Sequence, residues 1–585
     1  MINNESLLNK LSMSGLILTF ISITIFLIYF NVFHYEISVY GSYPIYFWVF
    51  LILIELIGIQ ILIIELINNK KTNHSIIGIL LIYFVNLLIL LIPLKYYFYG
   101  MDDSISHAGY IKDILISGNS GVGDFYPLSH IWVSVVSMLS NLNYLKVILL
   151  AVPIFYSVYI MGILLLSKKI TTDENKRIFI IIFSIIFPVG IYTSQFYPIG
   201  LAIFYIPLIL YLFLNKNKIQ YSFLFVLFCF FAVFLHPLIS LFLILTLVVY
   251  GVSTLLYSRF NGIKTEKFKL SYVLNSILIL VVTLITWMGS FWIFGAKIRS
   301  LLDWITGEAQ NSYIQSYGQA VAKTHFSIYD TIYLTIKIYG PFFIYFVLFI
   351  FAFMYIVRKL VKNKKVSKEQ IFFLLLTIIF GMIAVSFFVT GFNLASNPIR
   401  IFAMLSITSS ILSALVYYEI ISLKPKRIKF LIIQVLSLIL VFSMILGVFN
   451  IHPSPITNYP SSDVSKAEYV GAEWLVTKSN LTSKIYSVSS EFADRMRDSV
   501  LGFEMGSKGS NGHLPPHFGY ENYSSINNSV NQSSFIAITA YDKAYYGKIW
   551  TTQGSFNLSD FMKLNEDYSS NHVYTDGEFE VWYVK

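Results

Sequence analysis

Thirteen long apolar runs constrain this chain more than any other feature of its sequence. They cover roughly residues 15–33, 46–67, 76–94, 146–166, 178–191, 199–214, 220–235, 238–256, 271–294, 338–356, 370–390, 401–421 and 430–449. A transmembrane helix needs about 20 apolar residues to cross roughly 30 Å of hydrocarbon. Charged residues make up only 12% of the 585 residues, far below the share usual in soluble domains. We therefore predict a polytopic α-helical membrane protein with about 13 transmembrane helices.

The basic residues are concentrated in alternate connections between these runs. They are Lys10; Lys70 and Lys71; Lys168, Lys169, Lys176 and Arg177; Lys216 and Lys218; Arg259, Lys264, Lys267 and Lys269; Arg358, Lys359, Lys362, Lys364, Lys365 and Lys368; and Lys424, Lys426, Arg427 and Lys429. Because positively charged loops stay in the cytoplasm, we expect these connections and the amino terminus inside the cell membrane. The net charge of +10 then reflects membrane topology, and we expect no nucleic-acid partner.

The same alternation divides the chain into two predicted domains. Residues 1–449 form the transmembrane domain, with outer loops at 95–145 and 295–337, and residues 450–585 form a small extracytoplasmic α+β domain. Strand-like segments and an Asp576-Gly577 hairpin turn indicate the sheet of that tail. The single cysteine, Cys229, lies in an apolar run, which excludes a disulfide framework and a cysteine metal site.

Two adjacent acids open the first outer loop, directly after a long apolar run. If the following segment is helical, Asp103 lies one turn from His107, with Tyr110 on the same side. Ionisable groups at the edge of a bilayer are costly and are candidates for function, whereas the alternative is a solvated loop whose acids have no role. Asp103 is favoured because it shares a helix face with His107 and Tyr110, whereas Asp102 follows the end of the apolar run more closely, so both acids stay open as catalytic groups. A divalent ion, Mg²⁺ or Mn²⁺, shared by Asp102 and Asp103 is a further alternative.

Other polar residues of the outer connections are candidates for substrate binding. A short interfacial helix is predicted over residues 128–142, after Pro127, because this apolar segment is too short to span. The candidates are Tyr126 and His130 at its start, Gln195 and Tyr197 in the next outer turn, His236 before a proline, and Glu308 in the second outer loop. Such groups hydrogen-bond and stack on sugars, but an aromatic belt at the interface and a structural histidine explain several of them equally well.

Scarce basic residues on the outer side suggest an anionic ligand. Arg400 has no charged neighbour within eight residues and stands at the head of a late apolar run. Arginine suits phosphate because its fork of donors is rigid, and a helix amino terminus adds to the attraction. Snorkelling to lipid headgroups is the alternative. Lys297 and Arg299, in the second outer loop, are further candidates for binding a phosphate.

Taken together, these features resemble the GT-C class of integral-membrane glycosyltransferases. The residues that carry the resemblance are Asp102-Asp103 with His107, Tyr126 to His130, the turn Gln195 to Pro198, Arg400, and the tail opening with Glu468 to Trp474. The class includes protein O-mannosyltransferases, aminoarabinose transferases and oligosaccharyltransferases, which use polyprenyl-phosphate or diphosphate sugar donors on the outer side of the membrane. The chain lacks the Trp-Trp-Asp-Tyr-Gly motif of oligosaccharyltransferases, so the resemblance does not extend to asparagine transfer.

The resemblance implies a hexosyl- or pentosyltransferase of the cell envelope. We expect an inverting transfer from a polyprenyl-phosphate-linked sugar to a glycan, lipid or protein acceptor, with Asp103 or Asp102 as general base and Arg400 at the donor phosphate. A transporter or flippase of lipid-linked saccharides is one alternative, although no internal repeat supports it. A polymerase or ligase of lipid-linked saccharides is the other.

Overall fold

The computed structural model describes residues 4–68, 73–100, 103–185, 194–216, 218–261, 270–306, 327–390, 398–479, 483–488, 492–530, 533–551 and 554–585. Its first part is helical apart from one short strand. The elements are α1 (Asn4–Ile28), α2 (Ile45–Asn68), α3 (His74–Leu91), β1 (Phe98–Tyr99), α4 (Asp103–Ser117), α5 (Pro127–Ser140), α6 (Tyr144–Ile170), α7 (Glu174–Ile185), α8 (Pro198–Leu214), α9 (Ile219–Leu235), α10 (Pro237–Asn261), α11 (Leu270–Met288), α12 (Trp292–Ile305), α13 (Ile328–Val361), α14 (Lys368–Thr390), α15 (Pro398–Ser422) and α16 (Lys426–Ile451).

Ten of the described helices are long and apolar enough to cross a membrane. They are α1, α2, α3, α6, α10, α11, α13, α14, α15 and α16. The three other predicted runs also fall in helices, but α7 has 12 described residues and α8 and α9 have 17 each. At 1.5 Å per residue, 17 residues extend only about 25 Å. The predicted helical membrane fold is confirmed, with ten rather than thirteen full-length candidate spans among the described residues.

The lysine-rich connections meet at one end of the helix bundle. Lys359 at the end of α13 bonds to Glu419 near the end of α15, with Nζ and Oε1 2.6 Å apart. Tyr418 of α15 donates to Asp173, which lies between α6 and α7, at 2.6 Å. At the opposite end, His452 follows α16 and contacts the carbonyl of Ile89, near the end of α3. The bundle therefore has one basic end and one end that carries the connections predicted to be outside.

The first outer loop forms a platform of two short helices between α3 and α6. Pro127 starts α5 at the position where its missing N–H costs nothing, and Asn141 ends it in the left-handed conformation, with φ 57°. α5 spans about 21 Å, too short to cross a bilayer. Its exposed face is apolar, with Met138 61% and Leu139 84% exposed. An amphipathic helix with such a face is suited to lie at a membrane surface.

The carboxy-terminal region forms an α+β domain, as predicted. Its elements are β2 (Asp463–Val464), α17 (Lys466–Lys478), β3 (Lys484–Ser487), α18 (Phe492–Leu501), α19 (Phe503–Gly506), β4 (Asn511–His513), α20 (Asn527–Val530), β5 (Ser534–Thr539), α21 (Ala540–Ala544), α22 (Leu558–Glu566), β6 (Ser570–Thr575) and β7 (Phe579–Val584). Five strands form one sheet in the order β4-β3-β5-β7-β6, with β3 parallel to β4 and β5. β6 and β7 form the predicted hairpin, with Gly577 at φ +94° in its turn.

This domain packs directly on the first outer loop. β1 pairs with β2 in antiparallel fashion, and the N–H of Gly100 donates to the carbonyl of Ser462 at 2.9 Å. α18 packs along α4, and Gly109 permits this close approach because a Cβ there would lie 2.5 Å from the carbonyl oxygen of Asp498. α4 is therefore held between the membrane bundle and the carboxy-terminal domain, and both of its sides contribute to the site.

Candidate active site

Asp103, the favoured acid of the sequence analysis, faces an arginine of the carboxy-terminal domain. Its Oδ1 lies 3.1 Å from Nη2 of Arg495, on α18. The same guanidinium donates from Nη1 to Ser106 Oγ at 3.1 Å, and Ser106 donates to Asp498 Oδ2 at 2.5 Å. Burial raises the pKa of Asp498 to about 6, although the hydrogen bond from Ser106 and the Arg495 charge oppose the rise. The Asp103 side chain keeps 56% of its surface exposed, so it is open to a ligand.

A buried chain of one carboxylate and two imidazoles ends beside Asp103. His107 Nδ1 lies 3.0 Å from His130 Nε2, and His130 Nδ1 lies 2.8 Å from Asp124 Oδ2. The exposed fractions of His107, His130 and Asp124 are 6%, 0% and 2%. Burial lowers the pKa of His107 well below its ordinary value, and the nearby His130, Arg495 and His236 lower it further. His107 is therefore neutral at physiological pH.

Tyr126 and His236 connect this chain to Arg400. The two rings stack with their centroids 4.8 Å apart, and the ring centroids of Tyr126 and His107 are 5.9 Å apart. Burial lowers the pKa of His236 well below its ordinary value, and the Arg400 guanidinium lowers it further. Burial raises the pKa of Tyr126, while Arg400 lowers it and Asp103 raises it. Arg400 and Asp103 thus both lie within electrostatic reach of the Tyr126 hydroxyl.

The outer turn before α8 contributes a third wall. The Phe196 ring lies 6.0 Å from that of His107 and 6.5 Å from that of His130. Gln195 is 2% exposed, and within the described part of the chain neither atom of its side-chain amide has a hydrogen-bond partner. Tyr197, 9% exposed, precedes the proline that starts α8. Because an unpaired buried amide is costly, Gln195 is suited to hydrogen-bond a ligand.

The structure therefore brings together most of the predicted site but not all of it. Lys297 and Arg299 lie exposed on α12, and no described contact joins them to Arg400. Asp102 and Glu308 lie outside the described residues. The predictions for these four residues stay predictions.

The described residues do not form a metal centre. Among them, no group of three or more His, Cys, Asp or Glu side chains lies where it could hold an ion. Asp103, one half of the predicted Asp102–Asp103 pair, is paired with the Arg495 guanidinium at 3.1 Å. A cation at Asp103 would therefore compete with an arginine already in place, and a Mg²⁺ or Mn²⁺ ion shared with Asp102 stays a prediction.

An apolar groove of about 380 Å³ lies between α13, α14 and α15. Its aromatic lining includes Tyr339, Phe342 and Phe346 of α13 and Phe402 of α15. Gly381 of α14 also lines it, and a Cβ there would meet no atom within 4 Å. Phe402, which lines the groove, lies in the first turns of α15, two residues after Arg400. The groove therefore begins near the same end of the helices as Arg400.

Several residues of the candidate site were missed in the sequence analysis, among them Arg495, Asp498 and Asp124. Arg495 lies 392 positions after Asp103, and nothing local to either residue indicates their pairing. Asp124 carried a detectable signal, because it is the one acid between Asp113 and the end of the first outer loop and lies six residues before His130. That spacing crosses a loop and a helix start, so periodicity does not reveal it.

Comparison with known proteins gave structural likeness only. No protein-family model and no curated protein matches the sequence. The fold is similar to the crystal structure of ArnT from Cupriavidus metallidurans bound to undecaprenyl phosphate, at 10% identity and a TM-score of 0.46, covering 88% of this chain and 98% of that one. It is also similar to the apo state of the same protein, at 11% identity and a TM-score of 0.44, covering 86% and 97%. These values describe a likeness in overall fold and give no role to any residue.

Proposed function

We propose that this protein is a membrane glycosyltransferase of the GT-C type, which moves a sugar from a polyprenyl-phosphate-type lipid to an acceptor on the extracytoplasmic side. The observation that carries the proposal is the convergence of Arg400, His236 and Tyr126 with Asp103 and His107 at one end of the bundle, beside an apolar groove. A cation, neutral hydrogen-bonding groups and an acid are the groups that a leaving phosphate and an attacking hydroxyl require.

Arg400 and His236 are suited to hold the donor phosphate. Arg400 lies in the first turn of α15, where the helix dipole also favours an anion. His236 Nδ1 accepts a hydrogen bond from the backbone N–H of Leu238 at 3.2 Å. A neutral His236 therefore carries its proton on Nε2, which makes that nitrogen a donor. Lys297 and Arg299 remain proposed contacts of the phosphate from α12.

The groove is suited to hold the polyprenyl chain. It is apolar and aromatic, and it lies between helices at the depth of the outer leaflet in the proposed orientation. Phe402, Leu405, Ser406 and Ser409 line it from one face of α15. Arg400 projects from another face of the same helix, so the lipid head would cross the first turn of α15 to reach the guanidinium. Such a path places an apolar chain in the bilayer and an anion at its surface.

The reaction requires a base on the acceptor side. In an inverting transfer, the acceptor oxygen forms a bond to the anomeric carbon, and the carbon–oxygen bond to the phosphate breaks with its electron pair on the phosphate. The acceptor hydroxyl loses its proton to a base. Asp103 is the base proposed from the sequence, and its carboxylate is exposed and oriented by Arg495. Gln195 and Tyr197 are proposed to line the sugar and acceptor side, with His130 behind them, bonded to Asp124 and His107.

The proposed orientation places the site outside the cytoplasm. The helices α4 and α5, the turn before α8, the turn between α9 and α10, and the start of α15 all contribute to it, and these lie opposite the lysine-rich connections. Because basic connections are cytoplasmic, the amino terminus is proposed to be inside and the carboxy-terminal domain outside.

Binding of undecaprenyl phosphate to the purified protein in lipid nanodiscs tests the donor site. Arg400→Gln should weaken this binding by about 2 to 3 kcal/mol, or roughly 30- to 150-fold in Kd, because charge-assisted hydrogen bonds are lost. Arg358→Gln, at the basic end of α13, should leave Kd unchanged. Equal affinity of the Arg400 variant and the wild type would assign Arg400 to lipid headgroups instead.

A further inference from the structure

The Asp124–His130–His107 chain is fixed from both sides. The N–H of Tyr126 donates to Asp124 Oδ1 at 2.9 Å, which leaves Oδ2 for His130. The His130 ring stacks on Tyr110 with centroids 5.1 Å apart and an interplanar angle of 5°. Tyr110 in turn stacks on Phe503 of the carboxy-terminal domain at 3.8 Å. The three groups therefore have little freedom to change their hydrogen bonds.

This geometry determines which ring nitrogen of each histidine carries a proton. An ionised Asp124 only accepts hydrogen bonds, so His130 donates to it from Nδ1. The Nε2 of a neutral His130 then lacks a proton and accepts from His107 Nδ1. A neutral His107 with its proton on Nδ1 has an unprotonated Nε2. The last atom of the chain is thus a nitrogen that can accept a proton.

His107 Nε2 belongs to a ring that lies among the walls of the site. The described neighbours of the ring are Tyr126, Phe196, Tyr110 and His130. Among the described residues, the one hydrogen bond of this ring is the one to His130. Asp103, by contrast, forms an ion pair with Arg495. The Asp103 carboxylate therefore already has a cationic partner at 3.1 Å.

We propose that His107 Nε2 takes the proton of the acceptor hydroxyl, with His130 and Asp124 as positioning residues that keep this nitrogen unprotonated. This inference rests on the proposed glycosyl transfer. The acceptor O–H bond breaks and its proton moves to Nε2, while the acceptor oxygen attacks the anomeric carbon and the lipid phosphate leaves with the bonding pair. On protonation, the Nδ1–H of His107 stays hydrogen-bonded to His130, which is itself hydrogen-bonded to the buried Asp124 carboxylate. Asp103 then serves to orient Arg495 and the acceptor.

The groups that face His107 favour its neutral form. They are His130 on α5, His236 before α10 and Arg495 on α18, and all three oppose a positive charge on the ring. Asp103 on its own helix and Asp124 behind His130 are the negative charges nearby. Since the pKa of His107 is lowered, its basic form is present throughout neutral pH. Transfer should be constant there and fall only below the ordinary range of histidine titration.

The test combines a spectroscopic and a kinetic readout. Protein labelled with ¹⁵N in its histidines, in nanodiscs at pH 7, should show His107 protonated on Nδ1 only, assigned by the signal lost in His107→Gln. Asp124→Asn presents an N–H₂ group to His130 and should move the His107 proton to Nε2. In the same variant, kcat for transfer from radiolabelled polyprenyl-phosphate sugars should fall at least about 100-fold with the donor KM unchanged. Asp124→Glu, which keeps the carboxylate, should retain part of the wild-type kcat. The control His34→Gln should match the wild type in both the spectrum and kcat.

The outcomes separate this inference from the proposed function. A wild-type His107 protonated on Nε2 at pH 7 would overturn the role of the chain, whatever the enzyme transfers. The role of the chain would also be overturned if Asp124→Asn kept the kcat of the wild type while the wild-type protein showed the expected spectrum. Glycosyl transfer as the function would stand in that case. Lack of transfer from any donor by the wild type would refute the proposed function and, with it, the catalytic role of His107. The nitrogen spectrum distinguishes that case from one in which only the proposed protonation of the Asp124–His130–His107 chain is wrong.

Discussion

Asp463→Asn should strengthen the docking of the carboxy-terminal domain at neutral and alkaline pH. Asp463 lies in β2 and is 3% exposed, and its Oδ2 accepts the backbone N–H of Glu36 at 3.0 Å. Burial raises the pKa of this carboxyl to about 7 from an ordinary value of 3.8, and the hydrogen bond from the Glu36 N–H only partly opposes the rise. Asparagine keeps an oxygen for the Glu36 N–H and has no proton to lose.

The size of the effect follows from the raised pKa. Because the folded-state pKa is the higher one, the carboxyl contributes most stability below pH 4 and loses it as pH rises through 7. The difference between about 7 and 3.8 corresponds to at most about 4 kcal/mol at 1.36 kcal/mol per pH unit. Of this, roughly 2 to 3 kcal/mol falls between pH 5 and pH 8. Asp463→Asn should not lose this stability, because asparagine does not ionise.

Hydrogen exchange of the β1–β2 pair measures the effect locally. Protection of the Gly100 amide should decline between pH 5 and pH 8 in the wild type, after correction for intrinsic exchange, and decline roughly 30- to 150-fold less in Asp463→Asn. Asp567→Asn is the control, and it should leave the pH dependence between pH 5 and pH 8 unchanged. Burial alone would raise the pKa of Asp567, but hydrogen bonds from Ile526, Ser569 and Tyr520 hold it below its ordinary value. An equal pH dependence in the wild type and Asp463→Asn would refute the reasoning.

Two further variants test the groove and the topology. Gly381→Leu fills the groove without a clash at Cβ, so it should weaken binding of undecaprenyl phosphate about tenfold or more while a short-chain isoprenyl phosphate binds as before. The control Met382→Leu, on the lipid-facing side of α14, should bind both lipids as the wild type does. Unchanged long-chain binding in Gly381→Leu would place the polyprenyl chain elsewhere. In intact cells, a membrane-impermeant thiol reagent should label Ser507→Cys but not Lys364→Cys, and the buried Cys229 should not react; the reverse pattern would invert the proposed orientation.

The helices of the membrane domain were predictable because their cause is local. Twenty apolar residues between polar turns form a helix in lipid, since a helix satisfies all backbone hydrogen bonds within one segment. The Asp576-Gly577 turn was predictable for the same kind of reason, because glycine accepts the left-handed conformation that it needs. The runs at 199–214 and 220–235 match α8 and α9 within one residue at each end, so only their count as full-length spans differs from the prediction.

The site was only half predictable, and the reason is sequence distance. His107, Tyr126, His130, His236 and Arg400 were recognised as polar residues in costly places, and the structure brings them together. The sequence analysis paired Asp103 with His107 on one helix face, whereas the structure turns Asp103 to Arg495 and His107 to His130. Both partners lie on other elements, so helical periodicity could not reveal them.

The most direct test of the proposed function is transfer of a tritium-labelled sugar from polyprenyl phosphate in membranes that supply the native acceptor. The wild type should transfer label from at least one polyprenyl-phosphate hexose or pentose to an acceptor, with inversion at the anomeric carbon. The double variant Asp103→Asn, His107→Gln should lose roughly two to four orders of magnitude in turnover while it still binds undecaprenyl phosphate. Full transfer by the double variant, or labelled donor that crosses the bilayer intact without transfer by the wild type, would contradict the account.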